Sequence, residues 1–585
     1  MKGTPIDGVK LELEALRSNQ VKESEILLSE MKACRPSSAL SAERRSGHWQ
    51  LIPYETYAFE GTLISAGFMT DPPEVRLPCP HQGCYAIHIG LWLTGQTAGG
   101  WGRTTMASDA VGSLKIRLEG DPCFVAFRRE VPERDTLEDV FWKIADLEGE
   151  DIVISQQLSG FRGQSSLAYV RLVPLSESQT EAWREGRTDT STRTLVATND
   201  GFGAFFRNEI TTREGIWEQI EPYRDTDFGM LWWEVVTGMF GAWREEGKTY
   251  GEEVEDYPRP GDLHMATSYR TMKEQGINPL KTAMDFAQDI GLSFYVSQRS
   301  EMFQAGPPFE EVYSTQFYHD HPEWRLQDID GTEVTGMSYA HPGVRSYLVG
   351  LLEQATSLGA DGACVIYPRS APFVLYEEPV LADFEEEHGV DARTVDEEDD
   401  RLIDLRAAYM TTFMTELRKA MDRVGAKLGK RLDVSAVVFA TESENRLAGL
   451  YLDEWISTGL VDHLSPYPYS RAKTEMDIET TFFRQLTEAT SCKLYPNVMP
   501  RHMSAASYRE KAKFYYDEGA DGLLFWDTYQ RHDGSSGWQT IRRLGHREEI
   551  PAAIDQSEPE NEPRLIPLTR LAGHHMRRYS PYRGA

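Results

Sequence analysis

Cysteine is scarce in this chain: six in 585 residues, at positions 34, 79, 84, 123, 364 and 492, with no CxxC pair. Cys79 and Cys84 flank a Pro-His-Gln-Gly turn, but no second ligand pair follows at a spacing that would complete a zinc module. Cys364 and Cys492 stand inside apolar runs and read as buried thiols. Long hydrophobic runs are missing too, and no stretch reaches the ~20 apolar residues that cross a bilayer. The opening residues, MKGTPIDGVKLELEALRSNQ, contain no apolar signal core. Positive charge is the minority: 61 Lys and Arg against 92 Asp and Glu, a formal net charge of −31. A nucleic-acid binder needs a basic face, so that class is disfavoured. The expectation is a protein with no nucleic-acid partner and no membrane partner. It is cytoplasmic as written, or secreted or periplasmic if the N-terminus is trimmed. Self-association into a homo-oligomer stays open.

What is present is a chain with enough apolar content, 40%, to bury a real core, and enough length for more than one domain. Residues 1–45 read as a polar helical extension. Over 46–177 short β-rich runs such as CYAIHIGLWL, GSLKIRLEG and EDIVISQQ alternate with Gly, Pro and Asp turns. That texture predicts an antiparallel β-sandwich of the carbohydrate-binding kind. A polar linker follows at 178–193. Over 194–552 apolar runs alternate with helical patterns eight times, which predicts a (β/α)8 barrel, an α/β fold. The runs are LVATND, GMLWWE, LSFYVSQ, GACVIYP, LDVSAVVFA, VDHLSPYP, CKLYPNV and GLLFWD. Residues 553–585 read as a polar C-terminal tail.

The tetrapeptide GADG occurs twice, from Gly359 and from Gly519, each time between a helical pattern and an apolar run. Glycine readily adopts the left-handed conformation that ends a helix, so the repeat reads as turn punctuation before strands four and eight. GLVDHLSP before strand six is a looser version. A long acidic insertion between strands two and three, EEGKTYGEEVEDYPRPGDLHMATSYR, is long enough to form a lid or a subunit contact.

Three segments carry a family resemblance: HPEWRLQDIDG, SYAHPGVRSYLVGLLEQATSLGADG, and PRSAPFVLYEEPVLADFEEEHGVD. They resemble the glycoside-hydrolase-like family 10 group of bacterial (β/α)8 proteins, over roughly residues 190–550. The resemblance implies a barrel acting on carbohydrate. Related barrels place an Asp at the end of strand four, whereas this chain has Ile366-Tyr367-Pro368-Arg369 there.

Barrel active sites form at the C-terminal ends of the strands. There the sequence concentrates acids, aromatics and arginines, the mixture that binds and cleaves sugars. The catalytic candidates are Glu234, Glu377, Glu442 and Asp527. Of these, Glu377 and Glu442 also suit the acidic first turn of a helix. The substrate-binding candidates are Trp233, Arg299, His319, Tyr367, Arg369, Tyr467, Asn497, Arg501, Trp526 and Tyr529. Strict alternation along a strand puts one of Trp232 and Trp233 inside the barrel and the other outside. His319-Asp320-His321 has the look of a metal pair but lies off any strand, so no metal and no cofactor is expected. The leading expectation is hydrolysis of a poly- or oligosaccharide by a carboxylate pair. The alternatives are a non-hydrolytic glycan binder on a degenerate barrel and a metal-dependent barrel hydrolase.

Overall fold

The computed structural model describes residues 24–67, 70–92, 113–128, 135–156, 165–207, 209–235, 256–300, 307–368, 370–468, 478–501, 503–526, 528, 535–555 and 564–576. The chain divides into two compact units: one of residues 1–189, 530–541 and 558–585, the other of 190–529 and 542–557.

The first unit is a sandwich of a ten-stranded and a four-stranded sheet. Its core takes Ile87, Ile89 and Val140 from the large sheet and Val75, Leu114, Ile116 and Ile154 from the small one. Period-two alternation puts those side chains inside. Among the described residues its strands pair antiparallel, except that Leu40–Ser41 runs parallel to Trp49–Thr56; an isolated parallel bridge joins Glu30 and Thr62.

Three sequence expectations for the flanking segments need correction. The described part of 1–45 contains a strand, Ile26–Leu28, paired with Tyr169–Pro174, and two 3-10 turns, in place of a helix. The linker region is largely the helix Glu177–Thr188, closed at its start by a Ser176–Gln179 capping box. The tail contains the strand Arg564–Leu571, inserted between Thr136–Glu148 and Trp49–Thr56. Overall polarity hid the buried Ile566 and Leu568 in that tail, which are spaced two residues apart as a strand requires.

The second unit is the barrel. Its strands are Leu195–Asn199, Phe228–Glu234, Ser293–Arg299, Gly362–Ile366, Asp433–Phe439, His463–Tyr467, Lys493–Leu494 and Leu523–Phe525, here strands one to eight. All pair in parallel in sequence order, and strand eight pairs with strand one. A bridge between Asn497 and Leu524 closes the ring. All eight predicted runs are strands. Parallel neighbours need a crossover, supplied by helices such as Pro279–Asp289, Pro342–Thr356, Asp400–Leu428 and Ala505–Asp517.

The GADG repeat has one local architecture. Gly359 (φ +123°) and Gly519 (φ +96°) turn the chain with positive φ. The Asp then clips the adjacent strand: Asp361 Oδ2 accepts from Phe294 N at 2.8 Å, and Asp521 Oδ2 from Leu494 N at 3.0 Å. Asp462, in the looser copy, accepts from Val434 N at 2.8 Å. The second glycines, Gly362 and Gly522, leave room for the rings of Tyr295 and Tyr495, which a Cβ would strike. The motif therefore serves barrel closure.

Candidate active site

Alternation along the strands sets what enters the barrel. Val196, Met230, Trp232, Tyr295, Cys364, Ile366, Val437, Tyr467, Tyr495, Leu524 and Trp526 form one interior cluster. The Trp question is thereby settled: Trp232 points inward, and Trp233 lies on the outer face, stacked on Phe294 at 6.3 Å. The expected substrate contact at Trp233 is corrected accordingly.

Glu234 has the same parity as Trp232 and so enters the mouth of the barrel at the end of strand two. It is 3% exposed. Its Oε2 lies 3.0 Å from Nε of Arg299, at the end of strand three, in an ion pair. Its charge is felt by the interior Cys364, whose thiol is pushed far up, first by burial and then by Glu234. On strands six and eight, Tyr467 and Trp526 stack at 4.9 Å and 11°. Asn497 lies between those two strands: its N–H donates to Pro466 O, and its backbone bridges Leu524. Its side-chain amide is wholly buried, and neither polar atom has a protein partner among the described residues. Ser297, Ser465 and the Trp232 Nε1 also present buried polar atoms without a protein partner among the described residues. Buried polar groups normally find hydrogen bonds, so these atoms leave hydrogen-bonding capacity inside the barrel.

Glu377 has a different place. It is 1% exposed. Its carboxylate accepts from Gln327 N, Ser338 Oγ and Leu375 N, at 2.8 to 3.2 Å. Burial raises its pKa above the ordinary carboxylate value, and those hydrogen bonds oppose the rise. The direction suits a proton donor, but the geometry does not, because both oxygens are engaged in tying loops together. Tyr367 faces the helices: its hydroxyl meets Met414 Sδ, and its ring packs on Phe373 and Trp455. Glu442 is exposed in the first turn of the helix Glu442–Leu447, whose N-cap is Thr441. His319 is exposed on the short helix Gln316–Asp320, against the ring of Tyr318. Arg501 is half-buried, and its carbonyl accepts from Tyr508. Asp527, Tyr529 and Arg369 lie outside the described residues, as does 236–255, which takes in the first part of the acidic insertion; the remainder of the insertion runs into the helix Pro260–Glu274.

The structure thus brings together Glu234 with Arg299, and Tyr467 with Trp526 and Asn497. Sequence reasoning left Trp232 and Trp233 as alternatives for the interior and did not single out Ser297 and Ser465, although the parity that places Glu234 inside also places Trp232. Among the described residues, no three His, Cys, Asp or Glu side chains converge as metal ligands.

No protein-family model matches the chain, and no curated protein matches it. The resemblance to the glycoside-hydrolase-like family 10 group therefore rests on the quoted segments alone. Among solved structures, similar chains include an α-L-fucosidase isoenzyme 2 from Paenibacillus thiaminolyticus, at 12% identity and TM-score 0.39, covering 62% of this chain and 50% of its own. The chain thus spans half the length of that fucosidase. The β-amylase catalytic domain of Paenibacillus polymyxa matches at 10% identity and TM-score 0.40, covering 63% of this chain and 99% of its own. An α-galactosidase from Thermus thermophilus matches at 12% identity and TM-score 0.32, covering 86% and 95%. At these scores the likenesses say nothing about the reaction of this chain, whose barrel is established by its own strand pairing.

Proposed function

We propose that the chain is a glycosidase, cleaving a glycosidic bond of a poly- or oligosaccharide at the C-terminal mouth of its barrel. The observation that carries this reading is the buried Glu234–Arg299 pair at the ends of strands two and three, in an interior walled by Trp232, Tyr467 and Trp526. Aromatic faces suit the C–H surfaces of sugar rings. A carboxylate held by a guanidinium suits a nucleophile, a general base or a stabiliser of oxocarbenium charge better than it suits a proton donor. The proton donor is assigned to Asp527, which follows Trp526 in sequence.

A second reading has its own support. Of four candidate carboxylates, Glu377 is engaged in loop hydrogen bonds and Glu442 stands exposed at a helix start. A barrel keeping one carboxylate would bind glycan without cleaving it. Digestion of a mixed polysaccharide panel and of aryl glycosides tests both readings. Turnover abolished by Glu234→Gln and by Asp527→Asn supports hydrolysis. Binding on a glycan array without any turnover supports the binding protein.

A further inference from the structure

The ten-stranded sheet carries a recess of about 170 Å³, lined by Arg44, His48, Gln50, Ile52, Ser65, Gly67, Thr70 and Trp92. It lies on the face turned away from the sandwich core. Gln50, Ile52 and Ser65 alternate with the core residues Trp49, Leu51 and Ile64, and Gln50 pairs directly with Ser65 across strands. A recess of this size is roomy enough for one ring-sized group.

Two lining groups lack protein partners among the described residues: the Arg44 guanidinium and the Gln50 amide. The guanidinium lies close against Gly67, where any Cβ would collide with it. His48 is fixed in one form: its Nε2 accepts from Arg45 at 2.8 Å, so its Nδ1 carries the proton and donates to Ser46 O. Arg45 thus holds His48, a lining residue, in that form. In a chain with 92 acids and 61 bases, a guanidinium that meets no carboxylate among the described residues is available to an anion from outside. Arginine binds carboxylates through a planar fork. Trp92 and Ile52 add an apolar wall, and Gln50 offers an amide to hydroxyls.

We propose that this recess is a ligand site for a small hydroxylated carboxylate, such as one hexuronic acid residue at the end or branch of an acidic glycan. The inference concerns the sandwich unit and stands apart from the reaction of the barrel.

The test is calorimetric titration of the full-length protein with glucuronate, with glucose and with acetate. The site predicts saturable glucuronate binding, with glucose and acetate each at least about tenfold weaker because each lacks half of the recognition. Arg44→Gln should weaken glucuronate binding by about ten- to a hundredfold without moving the melting temperature, because Arg44 is exposed. Gly67→Ala should weaken it by displacing the guanidinium while keeping the charge. Glu234→Gln should leave it unchanged, which separates this site from the barrel. Equal affinity in Arg44→Gln and the parent, equal affinity for glucose and glucuronate, or no glucuronate binding would each overturn the proposal.

Discussion

Glu234 and Arg299 lie 3.0 Å apart at the ends of adjacent barrel strands, with 1% and 17% of their side chains exposed. Two charges held this far from water are a poor device for stability, since desolvation offsets most of their attraction. Their position in the barrel mouth gives them a better reason to exist.

The first prediction separates stability from chemistry at that pair. Arg299→Met leaves a buried carboxylate without its partner and should cost about 3–5 kcal/mol. The Glu234→Met, Arg299→Met double variant should recover much of that loss while remaining inactive. Denaturant unfolding beside a glycosidase assay measures both. A double variant no more stable than Arg299→Met would mean that the pair is a structural necessity.

Glu377→Gln should behave as a folding variant. The amide places an NH2 group where the carboxylate now accepts from backbone donors, and each unsatisfied donor costs about 1–3 kcal/mol. The melting temperature should fall while turnover per folded molecule holds. A preserved melting curve with lost turnover would restore Glu377 to catalysis.

Trp232 and Trp233 should part company. Trp233→Phe thins the layer between strands and helices and should cost about 0.5–3 kcal/mol with KM unchanged. Trp232→Phe removes an interior N–H and aromatic wall and should raise KM. Steady-state kinetics beside thermal melts checks the pair, and the reverse pattern would invert the assigned faces.

The two units should respond to pH in opposite directions. Asp139 in the sandwich is buried, which alone would raise its pKa, but hydrogen bonds from His88 and Arg171 hold it well below the usual carboxylate range. Its contribution is present above the unfolded value of about 3.9 and is lost as pH falls further. In the barrel unit, the hydrogen bond from His546 to Asp227, at 2.8 Å, raises the imidazole pKa against the opposing effect of burial. That contribution is full below about pH 6.5 and is lost as pH rises through the folded value. Thermal melts from pH 3 to 9 should flatten at the acid end in Asp139→Asn and at the neutral end in His546→Gln. Unchanged profiles would show that neither pair is linked to folding.

The order of the barrel strands was legible from the chain alone. Strands buried on both faces must be continuously apolar, and parallel neighbours must be separated by a crossover helix, so GACVIYP and GLLFWD announce themselves. The GADG punctuation was legible for the same local reason, because a helix must end before a strand begins. Parity within GMLWWE was legible only as a choice between two faces. The register of closure made that choice by turning Trp232 and Glu234 inward. Other partners come from far along the chain and no local pattern encodes them: Gln327 and Ser338 on Glu377, Met414 on Tyr367, and Arg299 on Glu234. The strand Arg564–Leu571 is another such case, since a polar segment becomes a strand when an open position between two others supplies its hydrogen bonds. Local sequence sets periodicity and turns because those depend on neighbours a few residues apart. Which carboxylate is free to act depends on what the finished barrel packs against it.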